Sequence, residues 1–586
     1  MKLSRLNELP TSRQMIDVFG GYNHNLRIGE GEFYDMKNLT SSDYPVLSPR
    51  PQRGLYASPT APQGMIEKDN LCYVDGRDFV IDGYRIDMGL TTEEKTLISM
   101  GAYVIIMPDK KYINTTNLSD FGNIEASVIT TGTVKFELCK NDGSVYTDAE
   151  ASETEPEYPE HMDLWIDTSS IPHTLKQYSA TTMMWIDIAT TYIKITAEIS
   201  EDKLMDIGLP FADGDGVTIS GITAKGATDL NGDMVIQQRG SNFIVVTGII
   251  SEIATQDTPI TIARRMPNMD FIVESENRLW GCRYGTALNG KVVNEIYASK
   301  LGDFKNWNVF NTPSISTDSY VASVGTDGQF TGAITHLGYP IFFKENCMHK
   351  VYGNYPANFQ IQTTTCRGVQ KGCSKSLAIV NEVLYYKSRK AVCMYDGSLP
   401  QEISSVLGDV AYSNAVAGAI GNKYYISMAD NTGKYHLFAC DTGKGLWHKE
   451  DNTQVKCFCA SRGELYYIDA SDNKIKTILG SGTTETANIE WMAETGVIGT
   501  EMPDKKYISR IDVRMLLDVG TRVYFYVEYN STGKWEHLFT MTGKSLQSFS
   551  IPVRPKRCDH LRLRIEGDGL AKIYSICKTI EQGSEM

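Results

Sequence analysis

The sequence predicts an all-β chain, and three observations lead there. Glycine, at 50 residues, supplies turns, and tyrosine, at 32, suits half-buried strands. The third observation is a short unit written again and again: an apolar, aromatic-rich strand, a tight turn, then a second such strand. It stands at residues 71–83 (LCYVDGRDFVIDG), 102–115 (AYVIIMPDKKYINT), 278–307 (opening RLWGCRYG), 339–353, 383–397, 423–448 and 464–479. Many of the turns are D-G, N-T-G or D-T-G. From residue 279 onward the units recur about every 40 to 60 residues, the spacing of the blades of a β-propeller. One blade exposes two apolar faces and cannot hide them alone; closing a ring buries each against a neighbour. Seven hairpins predict a propeller of six to eight blades, with a β-sandwich or several small β-domains as the alternative. The G-H…W-D pair of the commonest propellers is absent, and Trp447-His448 does not supply it.

In chain order, residues 1–60 read as an extended arm. The stretch VFGGYNHNLRIGEGEFYDMKNL mixes glycine and asparagine with isolated aromatics and lacks helical periodicity. Residues 61–120 hold the first blades and residues 268–480 the remaining ones. Between them, residues 121–267 read as an inserted small β-barrel or sandwich. That insert contains an acidic, proline-bearing loop, DAEASETEPEYPEHMD, and a well-alternating stretch through Val217, Ile219, Val235, Ile236, Phe243 and Val245. Insertions at loop tips are thermodynamically tolerable. Residues 481–586 contain about six short alternating strands and read as a C-terminal β-sandwich. Residues 171–190 are ambiguous between helix and strand.

At 586 residues the chain is long enough for about three or four domains. Its formal net charge is −14, against a groove built to grip phosphate backbones, although an acidic surface can let DNA pass without trapping it. No apolar run reaches the ~18 residues of a membrane span, and the N-terminus MKLSRLNELP has no apolar signal region. The twelve cysteines are spread singly. Cys366/Cys373 and Cys457/Cys459 are the close pairs, and the second is too tight for a C-x-x-C motif. On a strand Cys457 and Cys459 point to one face, so free thiols in a reducing compartment are expected.

Local motifs for chemistry are weak. DGDG (Asp213 to Gly216) and DLNGD (Asp229 to Asp233) begin like calcium loops but lack the bidentate glutamate, and read as turns. TGKS (Thr542 to Ser545) is the tail of a phosphate loop without its first glycine. The sequons at Asn38 and Asn114 carry no weight without a secretory route. The nine histidines are dispersed, and carboxylate pairs for glycoside hydrolysis cannot be assigned without geometry. No catalytic residue, cofactor or metal ligand is assigned, and the chain is expected not to be an enzyme.

The segment ENRLWGCRYG…EIYASKLGDFKNW resembles a propeller blade of the tail nozzle proteins of short-tailed bacteriophages, also called tail tubular protein B. The matching positions are Asn277, Arg278, Leu279 and Trp280, then Ile296, Tyr297 and Ser299, then Gly302, Asp303, Phe304, Asn306 and Trp307. FGGYNHNLRIGEGEFYDMKNL and the closing RIDVRM…LRLRIEGDGLAKIYSI are similar to the two ends of phage tail proteins. The resemblance covers about half the chain. It implies a virion structural protein, assembled in the host cytoplasm, that forms a homo-oligomeric ring, a hexamer in that family. The ring would lie below the portal and adaptor and continue the DNA ejection channel without binding DNA specifically. The extended arm would then pair with a neighbouring subunit or the adaptor by strand addition. Two alternatives are another tail part (stopper, baseplate or host-recognition protein) and a glycan-binding or glycan-cleaving propeller.

Overall fold

The computed structural model describes residues 11–200, 203–286, 290, 292–307, 318–484, 488–500, 505–543, 545–554 and 556–582. The first ten residues of the arm, part of the loop within 278–307 and Lys544 of TGKS lie outside them. Among the described residues the regular structure is almost entirely strand, with four single-turn 3₁₀ segments.

Seven sheets of the propeller kind follow one another along the chain. The strand orders are sequential, and each predicted hairpin forms the two middle strands of one sheet. Blade 1 is Pro62–Lys68, Asn70–Asp75, Asp78–Ile81 and Tyr84–Asp87; blade 2 is Thr96–Met100, Tyr103–Met107, Lys111–Asn114 and Asn117–Asn123. Blade 3 runs from Phe271–Ser275 through Arg278–Thr286 and Val292–Ala298 to Tyr320–Ser323, and blade 4 from Gly332–His336 through Tyr339–Lys344 and Cys347–Tyr352 to Gln360–Thr365. Blade 5 is Ala378–Val380, Val383–Lys387, Val392–Tyr395 and Gln401–Glu402; blade 6 is Ser413–Ile420, Lys423–Ala429, Tyr435–Asp441 and Leu446–Asp451. The first strand of a blade lies beside the first strand of a neighbour, and blade 7 returns to blade 1.

The seventh sheet is made from both ends of the propeller. Val455–Ser461, Glu464–Asp469 and Ile475–Thr477 are completed by Gly54–Ala57 from the end of the arm, with Thr483–Thr484 outside it. Joining distant segments in one sheet clasps the ring. Gly54 is required there, because a Cβ would collide with the Ser481 carbonyl and the Thr477 hydroxyl.

The other sheets flank the ring. Eight strands between Ala126–Ile129 and Thr261–Arg264, with the short Lys203–Leu204, form a nine-stranded sheet. Phe136, Ile195, Val217, Ile219, Ile236, Ile244 and Ile262 all enter one core, so this sheet folds back on itself. Above it stands a smaller sheet of Ala149–Ser152, Leu164–Asp167, Thr174–Ser179 and Met184–Asp187. Residues 171–190 are thus resolved as strands.

The C-terminal strands form two sheets, and the arm supplies strands to both. Thr11–Ile16 pairs with Ala571–Gln582, which continues to Lys506–Leu517 and Gln547–Ile551. Gly21–Tyr22 and Glu32–Lys37 extend the second sheet, Glu490–Thr495, Leu561–Asp568, Arg522–Tyr529 and Trp535–Thr542. Expected to add to a neighbouring subunit, the described arm strands pair within the chain instead. The physical reason is burial: Phe19, Tyr22, Phe33, Met36 and Leu39 share a buried cluster with blades 4 to 6 and with both C-terminal sheets.

Candidate functional site: seams, axis and insert tip

The arm is fastened to blade 6 by buried charge. Arg53 is 3% exposed and donates from Nη2 to Glu450 Oε2 (2.8 Å) and from Nη1 to Thr453 Oγ1 (3.0 Å) and the Tyr467 hydroxyl (3.1 Å). Asp451 Oδ2 lies 2.9 Å from the same guanidinium and 3.7 Å from that of Arg50. Burial alone would raise the Asp451 pKa, but Arg53, Thr453 and Arg50 outweigh it and hold the carboxyl below its ordinary range. Beside this knot, Ser41 donates to Asp441 (2.7 Å), and Lys423 donates to Thr40 (2.7 Å) and Ser42 (3.0 Å). Gly21, at φ 81°, approaches the Trp447 carbonyl closely enough to exclude any Cβ. These carboxylates serve a seam between segments about 400 residues apart in sequence.

The positions singled out in the sequence from Asn277 to Trp280, at Ile296, Tyr297 and Ser299, and at Gly302, Asp303, Phe304, Asn306 and Trp307 build one corner of blade 3. Buried Arg278 donates to the carbonyls of Ser299 (2.8 Å) and Asp318 (2.6 Å). The Ser299 hydroxyl accepts the Leu279 amide (3.0 Å), and the Gly302 amide donates to the Asn277 carbonyl (2.8 Å). The Lys300 amide donates to the Asn306 carbonyl (2.8 Å), and Trp307 Nε1 donates to the Phe304 carbonyl (2.8 Å). Asn306 Nδ2 then reaches the Gly214 carbonyl (3.0 Å), tying the blade to the insert. The motif is an architectural joint in which the Arg278 guanidinium serves backbone carbonyls and lies over the Phe359 ring.

At one end of the propeller an ion pair crosses the axis. Lys375 precedes the first strand of blade 5 and pairs with Glu94, which precedes the first strand of blade 2. The same ammonium donates to the Lys456 carbonyl on blade 7 (2.9 Å). Blades 2, 5 and 7 are not mutual neighbours around the ring, so the pair bridges the axis. Burial pulls the Lys375 pKa down from its ordinary value.

The motifs singled out from sequence resolve into structure. Asp213 accepts the Arg239 amide (2.8 Å), and Asp215 accepts the Ala212 amide (2.8 Å) and pairs with Arg264. Asn231 caps the turn around Ile222, and Asp233 accepts the Thr218 hydroxyl (2.7 Å). Asn38 is buried and bonded to Arg50 and to the Glu490 carbonyl. Among the described residues no group of three or more His, Cys, Asp or Glu is arranged to hold a metal, and no helix is long and apolar enough to cross a membrane. The twelve cysteines are free. Cys457 and Cys459 face the same cluster with Leu71 and Ile468; burial pushes their thiols up to about 11 and about 12, away from reactivity.

Sequence reasoning passed over the tip of the insert. There Trp165 packs edge-on against Trp185 (ring centroids 5.5 Å) and Tyr178 lies 5.3 Å from Trp185. Lys176 sits over Trp165 at 4.8 Å and bonds Asp167 at 2.8 Å. Lys176, then Ser169, holds the Asp167 carboxyl down at about 2. The signal in sequence was the run MMWID, in which Met184, Trp185 and Ile186 fall on the last strand of the small sheet and Met183 on the turn before it.

No family model and no curated protein matches the chain. Solved structures do. A glycoside hydrolase is 12% identical over 52% of this chain and 96% of its own, with a TM-score of 0.19. An engineered GH43 glycoside hydrolase with endo-xylanase and exo-arabinofuranosidase activity is 9% identical over 54% of this chain and 97% of its own, with a TM-score of 0.20. PorZ, a bacterial surface component of the type-IX secretion system of Porphyromonas gingivalis, is 11% identical over 90% of this chain and 82% of its own, with a TM-score of 0.26. At these identities and TM-scores the likeness assigns this chain no family, activity or substrate. It corrects one expectation: with glycoside hydrolases among the similar structures, the exclusion of enzymatic activity made from the sequence does not stand.

Proposed function

We propose that the chain is a structural component of a bacteriophage tail, built to assemble as a ring that continues the DNA ejection path. The observation that carries the reading is the blade 3 corner. Asn277, Arg278, Leu279, Ser299, Gly302, Phe304, Asn306 and Trp307, among the positions that resemble tail nozzle proteins, are linked by hydrogen bonds into a joint whose Asn306 reaches into the insert. The axial pair Glu94–Lys375 refines the reading, since DNA would pass between copies of the chain and not through the propeller. The net charge of −14 suits a surface that DNA slides past. Mass photometry with negative-stain imaging tests this. Rings with a central opening are expected; a monomer at every concentration, alone and with portal and adaptor proteins, overturns it.

A second reading, a propeller that binds or cleaves glycans, draws on the Trp165, Tyr178 and Trp185 pile, because stacked aromatics with a nearby cation also suit sugar faces. It predicts quenching of tryptophan fluorescence by host-wall polysaccharides, or release of reducing sugar from them.

A further inference from the structure

The small sheet at the tip of the insert has two unlike edges. Ala149–Ser152 carries Glu150 in the strand and is followed by Glu153, the charge that natural edges use against unwanted pairing. The opposite edge, Met184–Asp187, pairs among the described strands with Thr174–Ser179 alone. It presents Met184 (65% exposed) and Ile186 (53%), flanked by Met183 (79%). Register explains why these side chains are bare. Ile186 stands opposite Gln177 and Met184 opposite Ser179, on the same face as Ile166 and Leu175. That face is covered by the insert core beneath Ile166 and Leu175, which are 3% and 1% exposed, and the cover ends before the last strand. The edge is therefore an apolar continuation of a core face with nothing over it.

Charge selects the occupant. Residues 141–191 hold ten Asp or Glu against the single Lys176, so this tip carries a net −9 of the chain's −14. Lys176 is already engaged by Asp167. An anionic lipid surface or a nucleic acid would be repelled, and so would the same tip of a second copy. A cationic, apolar, extended segment would be attracted, and a bare strand edge is the template such a segment can join.

We propose that Met184–Asp187 is a docking edge at which a lysine- or arginine-bearing segment of another protein adds as a fifth strand. Its backbone pairs with the edge, its apolar side chains cover Met184 and Ile186, and its cations face the acidic rim. The proposal does not depend on the tail reading, since rings can form with or without it.

The test uses the full chain and a labelled eight-residue peptide alternating lysine with valine or isoleucine. Fluorescence anisotropy should report binding that weakens at least about tenfold between about 50 mM and about 0.5 M salt, as the Debye length shrinks. The glutamate counterpart, and a lysine peptide with a central proline, should not bind. Met184→Ser with Ile186→Ser should abolish binding; both side chains are exposed, so circular dichroism should show the fold retained. Four results would overturn the proposal: equal binding of the glutamate peptide, unchanged binding by the double variant, binding of anionic vesicles through this edge, and displacement of the peptide by a neutral polysaccharide.

Discussion

The arm and the insert tip both place short strands at the periphery, and the molecule treats them oppositely. Glu32–Lys37 and Gly54–Ala57 of the arm are paired on both sides, Arg53, Arg50 and Ser41 meet carboxylates of blade 6, and Lys423 of blade 6 donates to the arm hydroxyls of Thr40 and Ser42. The arm's aromatic residues Phe19, Tyr22 and Phe33 are buried. The tip leaves one edge single-sided, its methionines and isoleucine bare and its carboxylates nearly uncompensated. Apolar surface and charge that are matched inside the chain mark a structural seam. The same groups left unmatched, with one sign dominating, mark a surface for something else. This is why the arm is read as part of the fold and the tip as its outward face.

The contrast can be broken from the arm side first. Arg53→Ala leaves Glu450 and Asp451 buried without their main cation, a loss of about 3–5 kcal/mol. Limited proteolysis should then cut within the arm, and the melting temperature should drop. Next in size is Gly54→Val, whose side chain meets the Ser481 carbonyl and the Thr477 hydroxyl; overpacking of this kind costs about 1–3 kcal/mol. Thermal unfolding should show blade 7 loosened while the insert keeps its own transition.

The pH dependence is smaller and has a fixed sign. His448 is enclosed beneath the arm, where burial and then Lys423 pull its pKa down to about 3. In the unfolded chain a histidine titrates near 6.5. Between those values the unfolded state binds a proton that the native state does not. The contribution is therefore complete above about pH 6.5 and drains away as the pH falls towards about 3. His349 in blade 4, lowered to about 4 by burial and then Lys344, acts in the same direction. Melting curves should shift down by several degrees on acidification, and His448→Gln should lessen the shift and ease arm release. The smallest effect is expected at the tip: Met184→Ser with Ile186→Ser should change stability by no more than ~0.5 kcal/mol, read by the same melts.

The all-β propeller was legible because middle strands are buried on both faces. Strands such as Tyr339–Lys344 and Lys423–Ala429 must be apolar and aromatic along their length, and that is what the repeated hairpins record. First strands line the axis with small or mixed residues (Gly332, Ala378, Gly418), and last strands such as Tyr84–Asp87 are largely exposed, so neither announces itself. Gly54–Ala57 could not be assigned to blade 7, since its partner Ile475–Thr477 lies over 400 residues away. The arm's pairing was hidden for the same reason: local sequence shows strand propensity, whereas the partner is set by tertiary burial of Phe33 and Met36. At the tip the apolar run was visible, but its exposure depends on where the insert core stops. Ion pairs between distant segments, Glu94–Lys375 and Arg53–Glu450, leave no local trace.

Hydrogen–deuterium exchange along the full chain tests the central contrast most directly, because it reads each strand's backbone separately. Glu32–Lys37 and Gly54–Ala57, each paired on both sides, are expected to exchange as slowly as the blade cores, while the one-sided Met184–Asp187 exchanges rapidly. An arm that exchanges as fast as the tip would contradict that contrast, and would return the arm strands to the pool available for a neighbouring subunit.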